Sequence, residues 1–229
     1  YIQMRDQMIA DIDGGKLTVT QAMSQTTRLM QLAASYAEVE LLEDIDPNTG
    51  EEVFKQKVTL TNPSNKIKAF MGDLPDYGNS QIAVFAQSKQ LINLLEQTIQ
   101  KENEERSKVK SSEEYLPQIT YGRVTGDEST EEREQNVTRF QNGELQIMLL
   151  TLSAGSTGIT LTKADVAVFL NRSYNSIENK QALDRVHRIG SEIHDNILCV
   201  DYLSEGTIDY KILDALEEKG NILESIFQD

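Results

Sequence analysis

The chain has 229 residues, of which 38% are hydrophobic and 26% are charged, as in a globular protein with a core of its own. Lys and Arg number 22 against 37 Asp and Glu, which gives a net charge of −15 at pH 7. This balance argues against broad nonspecific binding of nucleic acid, because phosphate contacts need cations, but it leaves room for a local basic site.

No apolar run approaches the 18 residues of a membrane span, so we expect no membrane partner. One cysteine and two histidines are too few for a disulfide framework or a metal site built on those residues, and we expect no bound metal.

The first third of the chain predicts helices and one hairpin. Apolar residues at helical spacing predict two helices in residues 1–36, broken at Gly14-Gly15. Residues 38–60 predict a β-hairpin, because Pro47-Asn48-Thr49-Gly50 is a turn sequence between strand-like segments. Pro63-Ser64-Asn65 predicts the start of a third helix.

From residue 81 the pattern changes to alternating strands and helices. Ile82–Ala86 is a continuous apolar run, as in a strand that is covered on both faces. Further strands are predicted at 118–124, 146–151, 166–170 and 196–203, and helices after residue 86 and at 129–141, 176–189 and 207–226. The alternation predicts an α/β fold with a mainly parallel sheet flanked by helices in residues 77–229, and residues 1–76 form a small helical and β-hairpin N-terminal extension.

Two other features of the chain carry local predictions. Residues 101–114 hold charges and serines and almost nothing apolar, which predicts a mobile surface segment. Cys199 lies in the apolar run Ile197–Val200, which predicts a buried and inert thiol.

Two segments resemble ligand-binding loops without fitting their patterns. Gly14–Thr18 lacks the upstream Gly and the hydroxyl residue directly after Lys that a phosphate-binding loop needs, so a helix–helix turn is favoured. Asp44–Gly50 begins like a calcium loop, but its Gly comes one residue late and Lys55 stands where the closing Glu belongs. The chain therefore has no Walker A lysine and no DExx acidic box on a predicted strand.

Two segments between residues 151 and 190 fit an anion site. Thr151–Leu161 is rich in Gly and hydroxyl residues and follows a strand, so its backbone amides can approach an anion, although a tight turn is the alternative. In Gln181–Gly190, helical spacing places Gln181, Arg185 and Arg188 on one face. Ala182, Val186 and Ile189 would then face the core, and Gly190 would end the helix. Two guanidinium groups and an amide on one face suit a polyphosphate, and the alternative is a solvated face with an Asp184–Arg188 ion pair.

In this order and spacing, the segments resemble the second RecA-like lobe of the Swi/Snf-type ATPases, which belong to the superfamily-two helicase-related motors. The resemblance runs from about residue 81 to 226. It rests on Val84–Ser88 (motif IV), Ser153–Leu161 (motif V) and Gln181–Gly190 (motif VI), together with Gly126, Arg133, Phe140 and Ala164-Asp165. Upstream, Arg28–Leu32 and Ser64–Ile67 resemble the lead-in helices of the family.

Several positions depart from the pattern of that family. They are Ser156 for Gly, Thr160 for Asn, Asn171 for Asp, Tyr174-Asn175-Ser176 for Trp-Asn-Pro, and Ser191 for Gln. These departures predict a divergent branch of viral or bacterial origin.

The resemblance implies a role for each matching residue. Arg185 and Arg188 would reach ATP phosphates across a cleft between two lobes, with Arg188 as the arginine finger. Gln181 would orient water or phosphate, and Gly158 would line the nucleotide edge of the cleft. One strand of duplex DNA would meet hydroxyls and backbone amides without sequence readout, at Ser88, Thr125, Thr151, Ser153, Ala154 and Gly155.

The resemblance also implies the partners. ATP and Mg²⁺ would be held mainly by a first RecA-like lobe of the same polypeptide, so this chain alone should bind neither tightly and should be inactive. A longer parent is also expected because Tyr1 is not an initiator Met. The expected compartment is a bacterial or phage-host cytoplasm, or a nucleus in a eukaryote. The rival hypothesis is a noncatalytic interaction module whose acidic surface binds a protein.

Overall fold

The computed structural model describes residues 1–13, 19–45, 50, 52–109, 116–154 and 158–227. Its first elements are helices α1 (Ile2–Asp13) and α2 (Val19–Ala34), strands β1 (Tyr36–Ile45) and β2 (Glu52–Thr61), and helix α3 (Asn65–Asp73). Then follow β3 (Ile82–Ala86), α4 (Lys89–Lys108), β4 (Tyr121–Val124), α5 (Thr130–Gln141), β5 (Ile147–Thr151), β6 (Val166–Phe169), α6 (Ser176–Val186), β7 (Leu198–Asp201) and α7 (Ile208–Phe227). Among these described helices, none is long and apolar enough to cross a bilayer.

The centre of the fold is a five-stranded sheet in the order β4-β5-β3-β6-β7. Each neighbouring pair of strands is parallel, which confirms the predicted sheet. All residues of β3, β5 and β6 are buried, because helices cover both faces of the sheet. Alternate residues of β3 therefore serve two cores, with Val84 packing on one side and Phe85 on the other. The Phe85 ring stacks on Phe169 of β6, with 5.2 Å between ring centroids.

The helices divide between the two faces of the sheet according to their apolar residues. On the side of Val84, α3 contributes Ile67 and Phe70, and α4 contributes a row from Leu91 to Ile99. On the side of Phe85, α5 contributes Phe140, and α6 contributes Ala182 and Val186. This arrangement leaves the ends of the parallel strands open to form a site.

The N-terminal elements agree with the sequence pattern. Strands β1 and β2 form an antiparallel hairpin whose register runs from Tyr36 opposite Thr61 to Ile45 opposite Glu52. The predicted turn residues 47–49 and the helix break at Gly14-Gly15 lie outside the described residues. Helix α2 packs on α7 in a small third core. Its buried members are Leu29, Met30, Ala33, Ile208 and Ile212.

Helix α3 begins where the sequence predicts and joins the N-terminal part to the sheet. The Ser64 hydroxyl caps the helix by accepting from the Ile67 amide at 3.3 Å, and it donates to the Ala34 carbonyl at 2.7 Å. Ile67 and Phe70 are buried in the same core as β3. The division of the chain between residues 76 and 77 stays a prediction.

Two local predictions are wrong. Helix α4 continues to Lys108, through most of the segment predicted to be mobile, because ion pairs Arg106–Glu102 (2.9 Å) and Lys108–Glu105 (2.7 Å) support its last turns. Cys199 is exposed, because β7 is the outer strand of the sheet and pairs only with β6 among the described strands. The apolar run around Cys199 therefore does not mark a strand covered on both faces.

Candidate functional site: the carboxyl edge of the sheet and the arginine segment

Three neighbouring parallel strands, β4, β5 and β3, end at one edge of the sheet, which we call the carboxyl edge. Their last residues are Val124, Thr151 and Ala86. The residues that the resemblance assigns to DNA lie at these strand ends or within a few residues after them. They are Ser88, Thr125, Thr151, Ser153 and Ala154, and Gly155 lies outside the described residues. The topology thus brings the predicted DNA contacts together from three separate segments of the chain.

The hydroxyls at this edge differ in what they can reach. Thr151 is 3% exposed, and its hydroxyl donates to the Thr125 carbonyl at 3.3 Å and accepts from the Ala154 amide at 3.3 Å. Thr125 is also buried, whereas Ser153 is exposed and Ser88 is half-buried at the N-cap of α4. Thr125 and Thr151 therefore hold the edge together with their side chains, and Ser153 presents a hydroxyl to solvent. Direct DNA contact by Thr125 and Thr151 stays a prediction.

At the end of β4, the Glu128 carboxylate accepts hydrogen bonds from the donors of the loop. Glu128 Oε2 accepts from the amide of Thr125 at 2.6 Å and from that of Gly126 at 3.3 Å, and Oε1 accepts from the Thr125 hydroxyl at 3.0 Å. The Arg123 guanidinium lies beside it, with Nε 3.2 Å from Oε1, and also pairs with Glu96 of α4. Burial raises the pKa of Glu128, but the amide and hydroxyl of Thr125, its own amide and the Arg123 charge together hold that pKa below its ordinary value.

A second acid of the same loop pairs with a cation of α4. Asp127 Oδ1 lies 2.7 Å from Nζ of Lys89, the residue that follows Ser88. About half of each of these two side chains is exposed. Sequence reasoning missed this pair, together with Arg123 and Glu128. The signal that could have found them is the pair of acids directly after Gly126, in a segment predicted to approach an anionic partner.

The arginine segment differs from the predicted single helix. Helix α6 is capped by the Asn175 side chain, which accepts from the Ile177 amide at 3.0 Å, and it ends at Val186 because His187 has left helical backbone angles (φ −90°, ψ 83°). Arg188 and Ile189 therefore lie in the loop after the helix. The prediction that Gln181, Arg185 and Arg188 share one helical face is wrong for Arg188. Ile189, predicted to face the core, is 92% exposed.

A turn after the helix explains this early end. Gly190 has φ +105°, a backbone conformation that strongly favours glycine, and the Ser191 amide donates to the Arg188 carbonyl at 2.8 Å. The reversal carries Ile189 outward at the tip of the turn. Gly190 matches the predicted motif, but it does not end the helix. It forms a turn in the loop that follows Val186, the last residue of α6.

Both arginines nevertheless border the loop of motif V. Arg188 Nη1 donates to the Thr160 hydroxyl at 3.2 Å, and the Arg185 carbonyl accepts from the Leu161 amide at 2.8 Å. Gly158, at the start of the same loop, is exposed with φ +62°. Gln181 is exposed one turn before Arg185 on α6. The fold therefore brings the predicted nucleotide-facing residues of motifs V and VI to one place.

A groove of about 950 Å³ opens beside the arginines. Arg185 and Arg188 line it together with both histidines of the chain and three acids, Asp184, Glu192 and Asp195. No group of three or more carboxylates, histidines or cysteines with metal-binding geometry occurs in the described part of the chain. The groove thus offers two guanidinium groups to phosphate oxygens beside three carboxylates, and a metal that accompanies the phosphates would need ligands from elsewhere.

Behind the edge, Asn171 takes over a contact where the resemblance expects Asp. Its side-chain oxygen accepts from the Gln87 amide at 2.8 Å, so it fixes the end of β3 next to Ser88. The neighbouring Arg172 makes a two-pronged pair with Asp201, with distances of 2.6 and 2.8 Å, and lies 3.8 Å over the Phe169 ring. An amide oxygen accepts from a backbone amide as a carboxylate does, so this contact is open to Asn as well as to Asp.

Comparison with known proteins gives a consistent result. The family model described as the helicase conserved C-terminal domain matches residues 65–190. The human TATA-binding protein-associated factor 172 is 31% identical over 147 residues, 64% of this chain and 7% of the relative. The human chromatin-remodeling ATPase INO80 is 30% identical over 172 residues, 72% of this chain and 10% of the relative. The chain thus spans about a tenth or less of the length of these relatives.

A solved structure supports the fold. The C-terminal part of the Fun30 ATPase domain superposes with a TM-score of 0.55 at 21% sequence identity, covering 67% of this chain and 45% of that one. Together with the five-stranded parallel sheet, this match confirms the RecA-like α/β fold.

Proposed function

The chain belongs to the helicase conserved C-terminal domain family, as the C-terminal RecA-like lobe of a Swi/Snf-type ATPase, and from that premise we propose that it is the second motor lobe of a translocase on duplex DNA. The lobe supplies arginine fingers to ATP and backbone contacts to one DNA strand. The observation that carries the proposal is the convergence of motifs V and VI. Arg185 and Arg188 each contact the 158–161 loop, and both line one groove.

Arg188 is suited to be the finger. Within the described part of the chain its side chain makes one hydrogen bond, to the neutral Thr160 hydroxyl, and no ion pair. A guanidinium has five N–H donors in a planar fork, so most of them remain available to phosphate oxygens. Arg185 is half-buried nearby and adds a second positive charge. The alternative Asp184–Arg188 ion pair is absent from the described contacts.

The residues that line the nucleotide side of this lobe also fit an ATP molecule that a first lobe binds at the same time. When bound with Mg²⁺ on a first lobe, ATP supplies the phosphoryl group that is transferred to water. On this lobe, Arg188 and Arg185 would neutralise negative charge on the phosphates, and Gln181 would hold water or a phosphate oxygen in place. Gly158 has no side chain, which leaves its backbone open to the nucleotide. The magnesium ligands would come from the first lobe.

The carboxyl edge is suited to contact the DNA backbone without sequence preference. Ser153 and the amides around it are neutral donors, which contact phosphate oxygens but no base edges. A net charge of −15 keeps such binding weak unless the rest of the motor holds the DNA. The relatives' names state association with TATA-binding protein and chromatin remodeling of those proteins, and action on DNA is, for this chain, part of the proposal. The compartment and a phage or bacterial origin stay predictions.

One observation favours the rival function of a protein-interaction module. Val39, Leu41 and Ile45 of β1 are more than half exposed, and the acids Glu38, Glu40 and Glu43 alternate with them. Such an apolar and acidic strand suits a basic protein partner. A motor needs the arginine groove, whereas an interaction module does not, and this difference separates the two hypotheses.

The test is ATP hydrolysis by the parent polypeptide with and without duplex DNA of unrelated sequences. We expect turnover that any duplex stimulates. Turnover that DNA leaves unchanged would contradict the translocase, and a parent without a first lobe and without turnover would favour the interaction module.

A further inference from the structure

The loop that joins β4 to α5 holds a set of donors with the chemistry of a phosphate site. The donors are the amides of Thr125 and Gly126, the Thr125 hydroxyl and the Arg123 guanidinium, and we call this set the anion cradle. In the structure the Glu128 carboxylate fills it, with distances of 2.6 to 3.3 Å. Two backbone amides, a hydroxyl and a guanidinium also match the oxygens of a phosphodiester.

The position of the anion cradle points to DNA as its ligand. It lies at the carboxyl edge, where the Thr151 hydroxyl donates to the Thr125 carbonyl at 3.3 Å. The Ser153 and Ala154 segment starts two residues after Thr151, the last residue of β5. A DNA strand that crosses the ends of β4, β5 and β3 in turn, from Thr125 past Ser153 to Ser88, would therefore meet the cradle.

A second cation at this edge is neutralised in the same way. Lys89 follows Ser88 at the start of α4, and its Nζ lies 2.7 Å from Asp127 Oδ1. Asp127 and Glu128 are consecutive, so one short loop covers both Lys89 and the cradle. This pairing comes from a different element than the Arg123 contact and supports the same interpretation independently.

We propose that Asp127 and Glu128 act as internal phosphate mimics, which hold the cations and donors of a phosphodiester site at Lys89, Arg123, Thr125 and Gly126 and are displaced by the DNA backbone. The inference rests on the proposed function, because it names how the DNA edge is restrained. DNA must compete with these two carboxylates, and Arg123 is held by Glu96 of α4 as well. The result is a lobe that binds duplex DNA weakly until the rest of the motor presents the backbone to it.

The alternative is that Glu128 has a structural role only, and this alternative predicts the opposite effect on DNA binding. If Glu128 only orders the loop for DNA, then removing its charge should weaken DNA binding. Glu128→Gln separates the two roles, because a Gln side chain keeps an oxygen that can accept from the Thr125 amide while the negative charge is lost. Asp127→Asn frees Lys89 at an exposed position where little else depends on it.

The experiment measures binding of a labelled duplex by the 229-residue chain at several salt concentrations, for the wild type and the D127N/E128Q variant. We expect affinity to rise roughly tenfold at low salt, because Lys89 loses its counter-charge and the cradle loses the carboxylate that fills it, while Arg123 keeps its pair with Glu96. The slope of log affinity against log salt should steepen by about one, since Lys89 is the cation set free and each neutralised phosphate adds about 0.9. If E128Q proves unstable in a thermal melt, D127N alone should still raise affinity roughly threefold, the value of one surface ion contact.

Glu144→Gln is the matched control. Glu144 pairs with Arg139 at 3.3 Å, and the two side chains are 52% and 51% exposed, close to the values for Asp127 and Lys89. Like D127N alone, the substitution removes one negative charge, but it lies away from the edge, so it should leave affinity almost unchanged. An equal gain from E144Q, or unchanged or weaker binding by D127N/E128Q, would overturn the inference and leave the DNA-binding function standing. If no form of the chain, wild type included, binds duplex DNA, the proposed function itself fails and the inference falls with it.

Discussion

Lys66 Nζ lies 2.5 Å from Asp209 Oδ2, and each of the two side chains is only 3% exposed. Lys66 also donates to the Leu170 carbonyl at 2.9 Å, just after β6, and Asp209 accepts from the Ser204 amide at 2.8 Å. The pair therefore joins α3, the end of β6 and the start of α7. Burial lowers the pKa of Lys66, and the charge of Asp209 opposes that shift, so the charged lysine depends on its partner.

We expect Asp209→Asn to lower the free energy of unfolding by about 3–5 kcal/mol, because the change leaves a buried ammonium without a counter-charge. Urea denaturation of the chain measures the loss. The control is Glu40→Gln, which removes the partner of Lys57 in a pair that is 3.4 Å long and more than half exposed. That change should stay within about 0.5 kcal/mol, as for other surface pairs. Equal losses for the two variants would show that the buried pair adds nothing.

Local patterns in the sequence predicted the elements, but not this contact. The apolar run Ile82–Ala86 predicts a covered strand because both faces of a parallel sheet are packed, and Pro47–Gly50 predicts a hairpin from turn chemistry. Lys66 and Asp209 lie far apart in the chain, and no periodicity relates them. Their pairing follows only from the packing of α3 and α7 beside β6.

Helical spacing also misplaced part of the site. It grouped Arg188 with Arg185 because a 100° step was carried past Val186, where the helix ends. The preference of Gly190 for positive φ marks the turn, but it does not say where the last helical residue lies. The resemblance still brought the correct segments together, because motifs V and VI meet through the Arg188–Thr160 contact in tertiary structure.

We expect Arg188→Ala in the parent polypeptide to lower DNA-stimulated ATP turnover by roughly 10³–10⁵, the usual value of an arginine finger. The fold should be spared, because Arg188 is exposed and the one hydrogen bond of its side chain in the described structure is to a neutral hydroxyl. Stability should therefore change by no more than about 0.5–1 kcal/mol. Turnover and a thermal melt are measured on the same preparation.

Arg139→Ala is the control for this substitution, since Arg139 is exposed and pairs with Glu144 away from the groove. It should leave turnover unchanged. Unchanged turnover for Arg188→Ala with a native melt would remove the finger assignment and favour a solvated loop. A collapsed melt would show instead that Arg188 holds the loop after α6 through Thr160.

The 229-residue chain alone should hydrolyse ATP no faster than background, with or without duplex DNA. Its sequence has no Walker A lysine to hold the β- and γ-phosphates, and its arginines act only on a nucleotide that another lobe presents. Phosphate release from the purified chain measures this. Turnover that depends on DNA would contradict the division of the motor between two lobes.

Duplex DNA should bind this chain weakly, with no sequence preference, and binding should disappear as salt rises. The net charge of −15 opposes the approach of DNA, and the exposed donors at the carboxyl edge are mostly neutral. Fluorescence anisotropy with several unrelated duplexes at increasing salt tests this. Tight binding to one sequence would show base contacts that the carboxyl edge does not offer.

The anion cradle predicts how stability depends on pH. The contacts of Glu128 with Thr125 and Arg123 hold its pKa below the ordinary value of 4.5, although burial acts in the opposite direction. A carboxyl group with a lowered pKa in the folded state stabilises the fold fully above its unfolded pKa, and the contribution is lost as pH falls through the folded pKa. We therefore expect Glu128→Gln to lower the free energy of unfolding at pH 7, and the difference from the wild type to shrink steadily below about pH 4.5.

Urea denaturation of both forms between pH 3 and 7 measures this difference. Glu144→Gln is the control, because it removes an exposed carboxyl group and should cost little across the range. A difference between wild type and Glu128→Gln that stays constant with pH would show that the carboxylate charge does not hold the loop, and that the cradle contacts stabilise through shape alone.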